Sequence, residues 1–210
     1  MYIIFFMILS LKLYSSIIVG IVDSGVDINN IFLKNKVIAS KNLVEPNNSI
    51  KDYEDHGTPI AGIITTIATK AYLACAAISD ERGVSKYLNM YNGIKFCVYN
   101  KSFIINISLS FYEENIKDIK NLLGEEEFNK HFFVIAAGNT NELLEPLNTK
   151  FENVIFVGAI SGDGLLASYS NYGDAVDLAA FVGGTNLGVL TCSSCSENKR
   201  AFNGTSAAAA

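Results

Sequence analysis

Ile17-Ile18-Val19-Gly20-Ile21-Val22, running into Asp23-Ser24-Gly25-Val26-Asp27, is the stretch on which the fold turns. The first six residues form a continuous, mostly β-branched apolar run. Such a run has the form of a strand buried on both faces, as in a parallel sheet. A sheet of that kind is built from alternating strand and helix units. The flanking sequence therefore has to supply them.

It does. Val37 to Ala39 reads as a short strand, Gly57 to Thr69 as a helix with Ile60, Ile63, Ile64 and Ile67 on one stripe, and Tyr72 to Ile78 as a second buried strand. Pro59 stands where a first helical turn tolerates it. Tyr87, Tyr91, Ile94 and Val98 mark a helix over Val84 to Asn100. Ile104 to Leu109 is a strand, Glu113 to Leu123 a helix with acids in its first turn, and Phe132 to Ala137 and Val154 to Ile160 are strands. Ala175 to Ala180 and Gly188 to Thr191 are shorter ones. The pattern predicts an α/β fold, a three-layer doubly wound, mostly parallel sheet with helices on both faces. Ligands of such folds bind outside the carboxyl ends of the strands.

Composition agrees. Half of the 210 residues are hydrophobic and 18% are charged, which excludes a disordered chain and a charge-rich coiled coil. Sixteen Lys and Arg face 21 Asp and Glu with no basic run, so a nucleic-acid partner is not expected. Cys75 and Cys97 lie in apolar stretches and read as small buried hydrophobes. Cys192 and Cys195 form a lone C-x-x-C that cannot make a four-ligand zinc site; a short disulfide and two loop thiols both fit. Residues 1–16 form a separate apolar segment. Its length suits a signal-peptide core and is too short to span a bilayer, but no basic residue precedes it. A signal or anchor and a mis-assigned start both stand. Membrane contact is expected only through this segment; the compartment stays open, with secretion or membrane association favoured.

The residues that end the strands carry the chemistry. Asp23 closes the first strand, and a carboxylate there is costly unless it meets a partner. His56 opens a helix ahead of Gly57 and Gly62. Asn139 follows Ala136-Ala137-Gly138 at the end of the fourth long strand. Ser206 follows Asn203-Gly204-Thr205 at the start of an alanine run. Taken singly, these are a turn cap, a structural histidine, a loop amide and a helix N-cap. Taken together, they supply a nucleophile, a base, an orienting carboxylate and an oxyanion donor.

In the order Asp, His, Asn, Ser, and with the surrounding blocks, the chain resembles the subtilisin-like serine peptidases, the subtilases. The blocks are Val19 to Asp27, His56 to Gly62, Ile105-Asn106-Ile107-Ser108-Leu109, Ala136 to Asn139, Val157-Gly158-Ala159, Ala167 to Gly173 and Gly204-Thr205-Ser206. They cover residues 17–210, read as the catalytic domain. The resemblance implies a serine endopeptidase with Asp23, His56 and Ser206 as its triad and Asn139 in the oxyanion hole. It implies substrate contacts at Ser108, Leu109, Ser110, Gly83, Ala136, Ala137 and Gly138. The implied partner is an extended polypeptide read with broad specificity; a monomer is expected. For an ordinary histidine, activity rises near pH 6–7.

Several positions depart from the family pattern. Ser110 stands where a glycine is usual, so no preferred side chain is assigned to the primary pocket. Phe32 stands where a calcium-ligating acid is usual, and Thr65 to Ala71 runs almost directly into the next strand. The strong family calcium site is therefore expected to be absent, and no cofactor is expected. The family propeptide and the long helix after the serine have no counterpart here, and Ala210 stands where proline is usual, which reads as truncation at both ends. The competing reading is an inactive, truncated or pseudoenzyme peptide-binding module of the same fold. Dinucleotide binding fails, because the first strand is followed by Asp23-Ser24-Gly25 rather than by G-x-G-x-x-G. Asp52, Glu54 and Asp55 precede His56; they read as a surface loop first, and as charges favouring protonated His56 or a basic substrate residue second. Glu125-Glu126-Glu127 reads as a solvated face and His131 as a solvated residue.

Overall fold

A computed structural model describes residues 16–45, 48–109, 123, 125–145, 151–182, 188–196 and 198–210. Ser110, the helix read over Glu113 to Leu123 (Leu123 apart) and the apolar segment before residue 16 lie outside them. Seven parallel strands form one sheet: β1 (Ile18–Asp23), β2 (Val37–Asn42), β3 (Tyr72–Ala77), β4 (Ile104–Ile107), β5 (Phe132–Ala136), β6 (Val154–Ile160) and β7 (Leu178–Phe181). Their order is β2-β3-β1-β4-β5-β6-β7. From β1 the chain runs to the edge at β2, returns to β3 beside β1, and then crosses to β4 on the other side. The switch point therefore lies at the carboxyl end of β1, where Asp23 stands.

Three helices are described: α1 (Gly57–Ile67), α2 (Tyr87–Tyr99) and α3 (Thr205–Ala209). Ile60, Ile63 and Ile64 of the α1 stripe pack on one face of the sheet with Val19, Ile21 and Leu73, while Ile67, the last residue of α1, is exposed; Ala207 of α3 joins the same cluster. Met90, Ile94 and Cys97 of α2 pack on the opposite face with Val22, Ile105, Ile107 and Phe133. Successive β1 side chains thus feed opposite cores, as a strand buried on both faces requires. Cys75 and Cys97 are fully buried, and burial pushes the Cys97 thiol up to about 12. Both behave as the small hydrophobes that their surroundings suggest.

Some elements differ from the sequence reading. β2 extends to Asn42 through Ser40 and Lys41, because an edge strand need not be apolar. α2 starts at Tyr87 rather than Val84, since Ser85 pairs antiparallel with Ser79 across a turn at Asp80 to Gly83. β7 is displaced toward Phe181. A hairpin of β8 (Val189–Thr191) and β9 (Arg200–Phe202) includes a strand that the sequence reading lacked. His131 is half-buried, and its Nδ1 lies 2.7 Å from the Ser102 carbonyl, so it belongs to a helix-to-strand junction rather than to solvent. Among the described residues no helix is long and apolar enough to cross a membrane.

Candidate active site

Asp23, His56 and Ser206 come from three separate elements and meet in one hydrogen-bonded line. Asp23 ends β1 with its side chain fully buried, and Oδ1 accepts from the Ser24 amide at 2.7 Å. The same oxygen lies 2.7 Å from His56 Nδ1. His56 Nε2 lies 3.2 Å from Ser206 Oγ. α1 must approach β1 closely for this contact: a Cβ added at Gly57 would sit 2.1 Å from the Gly25 carbonyl oxygen. Only glycine allows that approach.

Asp52 fixes the entrance of α1. It is 3% exposed, which corrects the surface-loop reading. Its carboxylate accepts from Ser24 Oγ at 2.8 Å, from the His56 amide at 3.2 Å and from the Thr58 amide at 2.8 Å. Two of those amides are unpaired first-turn donors of α1, so the buried charge does the work of an N-cap. Asp55 is likewise no loop acid. Its Oδ2 pairs with Arg200 Nε at 2.7 Å and accepts from Ser193 Oγ at 2.8 Å. The Arg200 guanidinium lies 5.0 Å from the Phe202 ring, and Phe202 meets the His56 ring edge-on at 5.4 Å. The β8–β9 hairpin thereby closes over the outer side of the histidine. The partners of Asp55 are tertiary, so local composition could not have signalled it; Asp52 joins the nearby His56 and Thr58 amides to the distant Ser24.

The surroundings set the histidine's charge. Burial is the largest influence and lowers its pKa. The Asp23 charge and hydrogen bond, followed by the Asp52 and Glu54 carboxylates, raise it, and the net result moves from 6.5 to about 9. Titration therefore falls above the pH 6–7 expected of an ordinary histidine. With His56 protonated, Nε2 donates to Ser206 Oγ, and the serine hydroxyl in turn donates to the Ser108 carbonyl at 2.8 Å.

The other half of the site is neutral. Ser206 is the second residue of α3 and is 6% exposed. Asn139 Oδ1 accepts from the Thr205 amide at 2.9 Å and from Thr205 Oγ1 at 3.1 Å. With its oxygen tied inward twice, exposed Asn139 presents its amide donors outward. The Gly138 amide donates to Thr205 Oγ1 at 3.0 Å. Asn106 Nδ2 donates to the Ala209 carbonyl at 3.0 Å and holds the last turn of α3 against β4.

The remaining predicted residues flank this line. Ser108 is buried behind Ser206, Leu109 is half-buried, and Ala136 and Ala137 are buried at the end of β5. Gly83 sits at an exposed turn tip beside Glu54, whose carboxylate accepts from Ser79 Oγ. Cys192 is buried with its thiol on the Thr58 carbonyl at 3.3 Å, while Cys195 is exposed, so the pair stands as two thiols. Thr205, Phe202 and Asn171 carry contacts in the site that the sequence reading did not assign. Asn171 lay inside a quoted block but without a role.

The chain is similar to known serine proteases in sequence and to subtilisin-like structures in fold. The chain is 31% identical over 183 residues to the major intracellular serine protease of Bacillus subtilis (strain 168), covering 77% of this chain and 56% of that protein. It is 26% identical over 172 residues to thermitase of Thermoactinomyces vulgaris, covering 77% and 61%. The chain spans about half the length of the curated relatives it matches. In fold it resembles a cold-adapted subtilisin-like serine proteinase (TM-score 0.72, 20% identity, 93% of this chain and 72% of that one). A lanthipeptide protease is similar (TM-score 0.75, 23% identity, 92% and 70%). The family model described as the subtilase family matches residues 15–210, and the chain belongs to that family.

Proposed function

We propose that this chain hydrolyses peptide bonds as a serine endopeptidase, with Ser206 as nucleophile, His56 as general base and acid, and Asp23 as the group that orients and charges His56. One observation carries the reading: the Asp23–His56–Ser206 line, with contacts of 2.7 and 3.2 Å on the two nitrogens of one ring. Ser206 Oγ attacks the scissile carbonyl as its proton passes to Nε2, and His56 then returns that proton to the leaving amine. Asp23 fixes the tautomer that exposes Nε2 and stabilises the imidazolium. The Asn139 amide and the Ser206 backbone N–H receive the oxyanion, a role supported by the inward anchoring of Oδ1.

A polypeptide lies extended along Ser108 and Leu109 on one side and Gly83 to Ser85 on the other. Backbone pairing of that kind reads shape more than sequence, which favours broad specificity. No cofactor is assigned. At the position where the family's calcium ligand is expected, half-exposed Phe32 already carries the Lys199 ammonium 5.3 Å from its ring, a poor surrounding for a divalent cation. Calcium should leave the melting temperature unchanged, and a rise of many degrees in a calcium titration would contradict the assignment.

The decisive experiment is labelling by a fluorophosphonate probe together with turnover of a fluorogenic peptide. The unchanged chain should label and turn over, and Ser206→Ala should do neither, with kcat reduced about 10^6-fold. A chain that does not label, or one whose label survives Ser206→Ala, would sink the proposal and leave a binding module of the same fold.

A further inference from the structure

The block Ala167 to Gly173 has no part in the triad, yet Tyr169, Asn171 and Tyr172 within it pair with the Asn139 loop. We propose that Asn171 is the positioning residue of the oxyanion hole: it holds the turn on which Asn139 stands. This rests on the reading of Asn139 as an oxyanion donor.

Asn171 is 6% exposed, and its contacts bracket Asn139 on both sides. Before it, Asn171 Nδ2 donates to the Ala137 carbonyl at 2.9 Å, and the Asn171 backbone amide donates to the Gly138 carbonyl at 3.0 Å. After it, Asn171 Oδ1 accepts from the backbone amides of Thr140 and Glu142, each at 3.0 Å. One side chain thus satisfies three backbone groups between residues 137 and 142 that no sheet or helix pairs.

The fit is close. Gly138 has φ +104, where side-chain-bearing residues are strained, and a Cβ there would sit 2.5 Å from Asn171 Nδ2. The glycine lets the amide reach under the turn. Only a residue with a donor and an acceptor on one short planar group can serve both flanks. The same block also reaches the nucleophile's turn, where the Gly204 amide donates to Tyr169 Oη at 3.1 Å. These side-chain ties add to the backbone pairing of the loop, in which the Asn141 amide donates to the Tyr169 carbonyl at 2.9 Å and the Tyr172 amide to the Glu142 carbonyl at 3.0 Å, and they fix the turn on both sides of the donor. An oxyanion donor must be aimed at where charge develops, so a small misplacement lowers kcat and leaves substrate binding intact.

A double-mutant cycle with Asn139→Ala and Asn171→Ala, read on a peptide substrate and on a peptide aldehyde that forms a tetrahedral adduct, tests this. Asn139→Ala should lower kcat about 10^2–10^3-fold. Asn171→Ala should lower kcat at least tenfold, weaken the aldehyde by a similar factor and change KM less than twofold. In the Asn139→Ala background, Asn171→Ala should then cost less than twofold. Equal losses in both backgrounds, or wild-type kcat in Asn171→Ala alongside a damaged Asn139→Ala, would overturn the positioning role and leave the oxyanion reading standing. Wild-type kcat in Asn139→Ala would overturn the oxyanion reading and the positioning role with it. If Asn171→Ala does not fold, Asn171→Asp carries the same cycle, because it keeps the acceptor toward Thr140 and Glu142 and loses the donor toward Ala137. At least a threefold kcat loss that vanishes without Asn139 is expected; no loss, or an undiminished one, would overturn the role.

Discussion

The two halves of the site are held by different physics. On the side of β1 and α1 the organising groups are carboxylates: Asp23 against His56, Asp52 under the first turn of α1, and Asp55 against Arg200. On the side of β5 and α3 they are neutral amides and hydroxyls: Asn139 on Thr205, and Asn171 on the Ala137 to Glu142 turn. In the proposed mechanism the base is thus tuned by charge and responds to pH and salt, while the oxyanion side is set by geometry. A reaction that moves a proton on one side and stabilises a charge on the other needs this division.

The largest break in the comparison is Asp23→Asn. It keeps the shape and removes the charge, so His56 loses its orienting partner and the strongest influence holding its proton. We expect kcat to fall about 10^4-fold. The histidine pKa should fall as well, because burial, which lowers it, then dominates. Stability provides an independent check. A histidine whose folded pKa of about 9 exceeds the ordinary 6.5 stabilises the native state fully below pH 6.5, and that contribution is lost as pH rises through about 9. Melting temperature measured from pH 6 to 10 should decline over this window, and Asp23→Asn should flatten the decline. An unchanged slope would show that the pair is not charged in the folded protein.

Next in size is Asp52→Asn. Asparagine offers one acceptor where the carboxylate uses two, so either the His56 or the Thr58 amide loses its buried partner. Such a group costs about 1–3 kcal/mol. Urea unfolding should register that loss, while kcat measured well below the melting temperature stays within about tenfold. A variant of full stability would mean that water replaces the carboxylate.

What could be read from the sequence follows the same division by locality. β1, β3 and β5 were legible because strands buried on both faces must be apolar throughout. β2 was legible only in part, since Ser40, Lys41 and Asn42 lie on an edge that tolerates polar side chains. β9 has three residues and no turn signature, so it is defined by pairing with β8 alone. Asp23, His56, Asn139 and Ser206 stood out because chemistry restricts which residue types can sit together. Asn171 did not, because its partners lie some thirty residues away, and Asp52 did not, because its burial depends on the distant Ser24 as well as on the nearby start of α1. An acidic loop and a polar turn look alike whether they face water or support a catalytic group.

The smallest predicted effect is also the most specific to the charged side. Glu54 is exposed, and its charge is the last of the influences that raise the His56 pKa. Glu54→Gln removes that charge, so the histidine holds its proton less tightly. The acid limb of kcat/KM reports the free enzyme losing this proton, so the limb should move to lower pH. At pH 8, below the parent's limb near 9, a larger fraction of the variant is in the basic form, and the variant should turn over faster than its parent. Above pH 10 the two should converge. Exposed charges separated by more than a few ångströms are screened by salt, with a Debye length of about 3 Å at 1 M. High salt should therefore erase the advantage. An advantage at pH 8 that persists in 1 M salt would place the effect in substrate contact rather than in the field at His56, and no advantage at low salt would remove Glu54 from that field.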